Sequence, residues 1–175
     1  MSRILVVFYS NTGTCRHVAE LLCAQHGWPR GEIHERHSRA GSTGTLRCLL
    51  DTVLRRRPPI LYEGPDPADH DAVVLVSPIW LYGLAGPMRT FVAQEHAALK
   101  RVAVLSIMGR VGGFNAVAEI DQLLGRSPLI AAAFTAREVE DGSCAIRLQA
   151  FGRALQQAIG EGAAIVDGSL RASPA

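Results

Sequence analysis

A chain of 175 residues is long enough for one domain with a full three-layer core, and a hydrophobic fraction of 48% suits a soluble globular protein. No apolar run reaches the length of a membrane span, and the four cysteines (Cys15, Cys23, Cys48, Cys144) form no Cys-x-x-Cys pair, which argues against a zinc site or a disulfide framework. Net charge is only +2, yet residues 1–60 hold nine Arg against four acids and residues 61–175 nine basic against twelve acidic residues, a dipole that steers anions toward the N-terminal half but is too mild for nucleic acid.

Ile4 to Phe8 is an unbroken apolar run rich in β-branched residues, the mark of a strand buried on both faces. Neither a charged n-region nor a cleavage site precedes it, so a cytoplasmic protein is expected. Ser10-Asn11-Thr12-Gly13-Thr14 follows at once, and then a helical pattern carries Val18, Leu21 and Leu22 on one face. A small, hydroxyl-rich turn therefore joins the end of a buried strand to a helix N-terminus. Free backbone N–H groups and the positive end of the helix dipole converge there, which suits an anion. Ser10, Thr12 and Thr14 add hydroxyl donors, and Gly13 permits close backbone approach. No lysine lies in the turn, so a monophosphate suits it better than a triphosphate. The same residues also serve as a plain cap and tight turn; the strand context favours the phosphate.

Gly31 to Arg36 alternates weakly and is expected as a short edge strand. His34 and His37 would point to opposite faces of it, which disfavours a shared metal. Gly41-Ser42-Thr43-Gly44 starts a helix whose stripe is Leu46, Leu49, Leu50, Val53 and Leu54. Arg55-Arg56-Arg57-Pro58-Pro59 ends it, the prolines stopping the helix and the cations matching its dipole. Tyr62 to Asp71 is expected as a polar connector in which His70 and the acids serve the turn.

Ala72 to Val76 is a second buried strand leading into the loop Ser77-Pro78-Ile79-Trp80-Leu81-Tyr82-Gly83. A helix begins near Ala85-Gly86-Pro87, with Pro87 in its first turn and Met88, Phe91 and Val92 inward. Val102 to Ile107 is a third buried strand and runs into Met108-Gly109-Arg110-Val111-Gly112-Gly113. The next helix carries Val117, Ile120, Leu123 and Leu124 and ends at Gly125. Leu129 to Phe134 is a further strand, and Thr135 to Ser143 a polar stretch. A last helix carries Ile146, Leu148, Phe151, Leu155 and Ile159. One domain over residues 1–160 is expected, with a tail over 161–175 that frays at its end.

Strand and helix alternate five times, which predicts an α/β three-layer sandwich with a parallel sheet and helices on both faces. In the five-stranded order 2-1-3-4-5, strands one, three and four are neighbours and their C-terminal loops open on one edge. The first loop offers phosphate donors. The second offers Trp80 and Tyr82, and the third a glycine-rich backbone. Such a set describes a mononucleotide with a large flat ring, and flavin mononucleotide (FMN) fits.

Tyr9-Ser10-Asn11-Thr12-Gly13-Thr14-Cys15 resembles the flavodoxin phosphate loop, Thr/Ser-x-Thr-Gly-x-Thr. Ser77-Pro78-Ile79-Trp80 with Leu84-Ala85-Gly86-Pro87-Met88 resembles the second flavin loop of flavodoxin-like proteins and reductases, and the glycine-rich third loop is similar too. The resemblance to the flavodoxin-like FMN-binding family covers residues 3 to 159. It implies that Ser10, Asn11, Thr12, Gly13, Thr14 and Cys15 hold the phosphate. Pro78, Ile79, Trp80, Leu81, Tyr82 and Gly83 would lie along the ring, with Met108, Gly109, Arg110, Gly112 and Gly113 on its other side. Cys15 stands where the motif has its last Thr, so its backbone N–H would serve as donor. Its thiol would be shielded by the bound phosphate and more reactive in apoprotein.

The resemblance further implies that the flavin carries the chemistry, with Gly83 or Gly109 permitting a peptide flip that follows its redox state. The family divides into electron carriers and NAD(P)H-dependent reductases of quinones or flavins. Carriers are strongly acidic and this chain is not, which favours an FMN-dependent oxidoreductase using NAD(P)H and a small electron acceptor, with a homodimer as the assembly that the resemblance to the reductases suggests. The alternatives are a flavodoxin-type carrier docking on a redox partner protein, and a binding or regulatory module of the same fold without flavin.

Overall fold

The computed structural model describes residues 3–36, 57–80, 83–109 and 113–170. The helix expected over 42–54, with His37 and Cys48, lies outside these residues. The described chain runs β1 (Ile4–Tyr9), α1 (Thr14–His26), β2 (Arg30–Glu35), β3 (Ile60–Glu63), a 3-10 turn (Pro67–Asp69), β4 (Ala72–Trp80) and β5 (Gly83–Leu84). It continues through α2 (Gly86–Glu95), β6 (Val102–Met108), α3 (Gly113–Leu124), β7 (Ile130–Thr135), α4 (Ala136–Glu140) and α5 (Cys144–Leu170).

The sheet order is β3-β2-β1-β4-β6-β7, with β5 pairing back on β4. Its parallel strands, β2-β1-β4-β6-β7, have the expected order 2-1-3-4-5. All six β1 side chains are buried, as an apolar run between two parallel neighbours requires. Alternation then divides them between two layers. Ile4, Val6 and Phe8 join Val74, Val76 and Leu105 under α1 and α5, against Val18, Leu22, Leu148 and Leu155. Leu5, Val7 and Tyr9 join Val73, Leu75 and Val104 under α2 and α3, against Met88, Phe91, Val92 and Ile120.

Two antiparallel strands extend the expected five. β3 falls at the start of the expected connector and pairs with β2, so β2 is internal rather than an edge. Its reason lies across the strand pair. The Tyr62 ring covers Gly31 so closely that a Cβ there would collide with it. That ring also packs on Phe91 at 5.0 Å, and its hydroxyl donates to Pro65 O at 2.7 Å. Gly31 and Tyr62 are a matched glycine–aromatic pair on neighbouring strands. Within the rest of the connector, His70 Nδ1 donates to Asp66 O at 2.9 Å, a turn contact.

The polar stretch after β7 contains α4, begun by a capping box: Thr135 accepts from Glu138 N and the Glu138 carboxylate accepts from Thr135 N. Of the apolar residues on α5, Ile146 is 81% exposed, while Leu148, Phe151, Leu155 and Ile159 are buried. The α5 backbone continues past Gly160 to Leu170. No helix among the described residues is long and apolar enough to cross a membrane, and they hold no metal-binding group of three His, Cys, Asp or Glu.

Cys15 belongs to the α1-side core with Val18, Ala19 and Leu22, and burial pushes its thiol up to about 12. This corrects the expectation of a thiol shielded by phosphate, because the shielding comes from the protein's own core. Thiol reagents at neutral pH should leave Cys15 unlabelled with or without FMN, and label it only on unfolding; mass spectrometry checks this. Since the folded value exceeds the ordinary 9.0, its contribution to stability is complete below about pH 9 and is lost as pH rises toward 12. Urea midpoints should fall over that window, less steeply in Cys15→Ala. Gly31→Ala should cost about 1–3 kcal/mol through overpacking against Tyr62, with Tyr62→Leu restoring part of it in the same assay.

Candidate functional site

β1, β4 and β6 are adjacent and parallel, so the chain leaves all three at one edge of the sheet. After β1, residues 10–13 form a tight turn and α1 starts at Thr14. Gly13 has φ 92° and ψ −19°, in the left-handed region that favours glycine. Nothing lies within 4 Å of where its Cβ would stand, so the face above it is open. Ser10 Oγ accepts from Gly13 N at 3.1 Å, fixing the turn from inside. Thr12 Oγ1 and Thr14 Oγ1 lie 3.4 Å apart.

The first bond of α1 runs from His17 N to Gly13 O at 3.0 Å. Upstream of it, the N–H groups of Thr14, Cys15 and Arg16 have no carbonyl within the helix to bond. Asn11, Thr12 and Gly13 are exposed, Ser10 and Thr14 are half-buried, and only the backbone of Cys15 faces this end. The turn thus gathers threonine hydroxyls and unpaired first-turn N–H groups beside Gly13, above which the space is open. One residue here was not singled out from the sequence. Arg16 pairs with Glu32 of β2 and adds a guanidinium to the same first helical turn.

The second segment differs from expectation in form. Ser77, Pro78, Ile79 and Trp80 continue β4, and the chain turns back so that Gly83 pairs with Trp80 and Leu84 with Ile79. Pro78 and Trp80 are half-buried and Ile79 is buried. Trp80 meets Tyr9 edge-on, with ring centroids 6.0 Å apart. Tyr9 is itself anchored, its hydroxyl donating to Glu35 Oε1 at 2.6 Å. Leu81 and Tyr82 lie outside the described residues.

Of the third segment, Met108 closes β6 beside Ile79 and Thr135, and is half-buried. Gly109 is exposed, with open space where a Cβ would stand. Gly113 is the first residue of α3, and Arg110 and Gly112 lie outside the described residues. The described parts of all three predicted segments therefore share one edge of the sheet.

Behind the second segment lies a buried pair that the sequence reading missed. Arg89 of α2 and Glu119 of α3 are 2% and 9% exposed, and Arg89 Nε donates to Glu119 Oε1. Leu84 N donates to Glu119 Oε2 at 3.1 Å, and Arg89 Nη2 donates to Leu84 O at 2.9 Å. Both charges sit in windows that otherwise read as apolar. Arg89 lies between Met88 and Phe91, and Glu119 precedes Ile120, which is the one signal the sequence offered.

No family model matches the sequence, and no curated protein matches it significantly. Solved structures do. A flavoprotein from Lactobacillus acidophilus in complex with FMN superposes with a TM-score of 0.68 at 20% identity, over 82% of this chain and 99% of the other. The apo-form of the flavoprotein from that organism gives 0.61 at 18% identity, over 80% and 96%. A flavodoxin, WrbA-like protein from Agrobacterium tumefaciens gives 0.54 at 14% identity, over 90% and 98%. With its parallel core order and these likenesses, the chain has the flavodoxin-like fold.

Proposed function

We propose that this chain binds FMN and transfers electrons through it, as an NAD(P)H-dependent oxidoreductase of a quinone, a flavin or a similar small acceptor. The turn between β1 and α1 carries the reading. Its threonine hydroxyls and first-turn N–H groups lie next to Gly13, above which the space is open, on the sheet edge that also holds Trp80 and Met108. The FMN complex of the Lactobacillus flavoprotein, which shares the fold, supports it.

The residues present fit the group. Thr12 and Thr14 hydroxyls and the Thr14, Cys15 and Arg16 N–H groups suit phosphate oxygens, and the α1 dipole adds a favourable field. Arg16 contributes positive charge at the same end, moderated by Glu32. Trp80 offers a half-buried aromatic face, held by Tyr9 from the side. Gly109 leaves its backbone uncovered, so a flat ring can approach it. When bound, FMN supplies the hydride and electron chemistry. The chain's part is to bind, to orient and to exclude water from the inner side, where Ile79 and Leu84 are buried.

The near-neutral charge of the chain favours a reductase over a carrier that docks by acidity. Purified protein mixed with FMN should quench flavin fluorescence and show oxidised-flavin absorbance; a colourless sample that leaves FMN fluorescence unchanged removes the reading. Stopped-flow bleaching of that absorbance by NADH or NADPH identifies a reductase, and bleaching only by a reduced protein partner or chemical reductant identifies a carrier. Thr12→Val removes a donor to a charged group, worth about 1.5–3 kcal/mol. FMN binding should weaken roughly tenfold to a hundredfold, while riboflavin binding stays unchanged.

A further inference from the structure

Trp80 lies one residue past the last β4–β6 pair, Ile79 with Met108, and among the described residues the returning strand β5 makes two pairs, Ile79 with Leu84 and Trp80 with Gly83. A ladder that short is marginal by itself. Besides the packing of Leu84 in the core, the buried ion pair bonds both backbone polar groups of that residue in the returning strand: Glu119 accepts the Leu84 N–H at 3.1 Å, and Arg89 donates to the Leu84 carbonyl at 2.9 Å. Arg89 stands in the first turns of α2, its own N–H bonded to Ala85 O at 3.0 Å. Glu119 stands on α3, the helix that opens at Gly113 directly after the third segment. One pair of side chains therefore joins the backbone of the second segment to the helix that anchors the third.

Buried ion pairs are poor stabilisers, because desolvation offsets much of their attraction and apolar replacements of similar volume are often neutral. Their better use is to fix one arrangement among several. We propose that Arg89 and Glu119 are positioning residues for the ring-binding slot, fixing the Trp80 hairpin against α3 before FMN arrives. The proposal rests on the FMN reading and deepens it. Such preorganisation raises affinity by removing the ordering cost from the binding step. It acts on the ring rather than the phosphate, since Leu84, where both residues bond, belongs to the β4–β5 hairpin and not to the β1–α1 turn.

The test uses the full chain with Arg89→Met and Glu119→Leu together, which removes both charges at similar volume. In apoprotein, hydrogen exchange at the Leu84 amide should accelerate at least roughly tenfold, the loss of one buried hydrogen bond to a charged group. The apoprotein's thermal midpoint should fall modestly, because the buried Leu84 N–H and carbonyl lose their partners even though the charges themselves are cheaply replaced. FMN and riboflavin should both bind roughly tenfold or more weakly, whereas the effect of Thr12→Val falls on FMN alone. Arg89→Lys keeps the charge opposite Glu119 but loses the second arm to Leu84 O, so it should give an intermediate loss and serves if the double variant does not fold. Variants that fold, keep Leu84 protected and bind FMN as wild type overturn this proposal alone. Wild-type protein that binds no FMN overturns the functional reading, and this proposal with it.

Discussion

The structure depends on β1 being hydrogen-bonded on both edges and buried on both faces. Its backbone is in register with β2 on one side and β4 on the other, and none of its six side chains reaches water. A strand so enclosed can hand the chain on only at its ends. Because its neighbours run parallel, their connections must cross over a face of the sheet and re-enter at the opposite end. Turns after β1, β4 and β6 are thereby brought to one edge without any contact between them being required. The candidate site's location follows from the topology, and its proposed chemistry from the few residues at the strand ends.

That division explains what the sequence disclosed. Continuous apolar runs at Ile4–Phe8, Ala72–Val76 and Val102–Ile107 announce strands buried on both faces, since they are too short for a typical helix and rich in β-branched residues. The β1–α1 turn was legible for a similar reason: hydroxyls and a glycine between a strand and a helix admit few geometries. β3 was not legible. Ile60–Glu63 is four residues long and alternates between half-buried and exposed, and its strand character comes from Tyr62 lying over Gly31 some thirty residues earlier. The hairpin at Trp80 was hidden similarly, because Pro78 and Gly83 mark a loop to any local reading while pairing with β6 keeps Pro78 in the sheet.

Cys15 shows the opposite failure, in which the signal was present and outweighed by position. Cys15, Val18, Ala19 and Leu22 repeat at the spacing of one helical face, and all four are buried. Helix phase therefore sends the thiol inward, while its place in the first turn leaves its N–H outward. Backbone and side chain of one residue serve different layers. Arg89 and Glu119 evade local reading differently, since each charged group is intelligible only with its partner and with Leu84 in place.

The donors at the β1–α1 turn are mostly backbone, and this bears on why the fold outlasts sequence similarity. An N–H at a helix N-terminus exists whatever side chain accompanies it, so most positions of the turn can vary without removing a donor. Gly13 is constrained by its dihedral, with φ at 92°, and Ser10 by its bond to Gly13 N. Thr14 and Cys15 contribute N–H groups that other residues would contribute equally. The sequence-dependent demands then fall on packing, on the inward phase of α1 and on the apolar runs of the sheet. Many combinations of aliphatic residues meet those demands, so the architecture persists where residue identity does not.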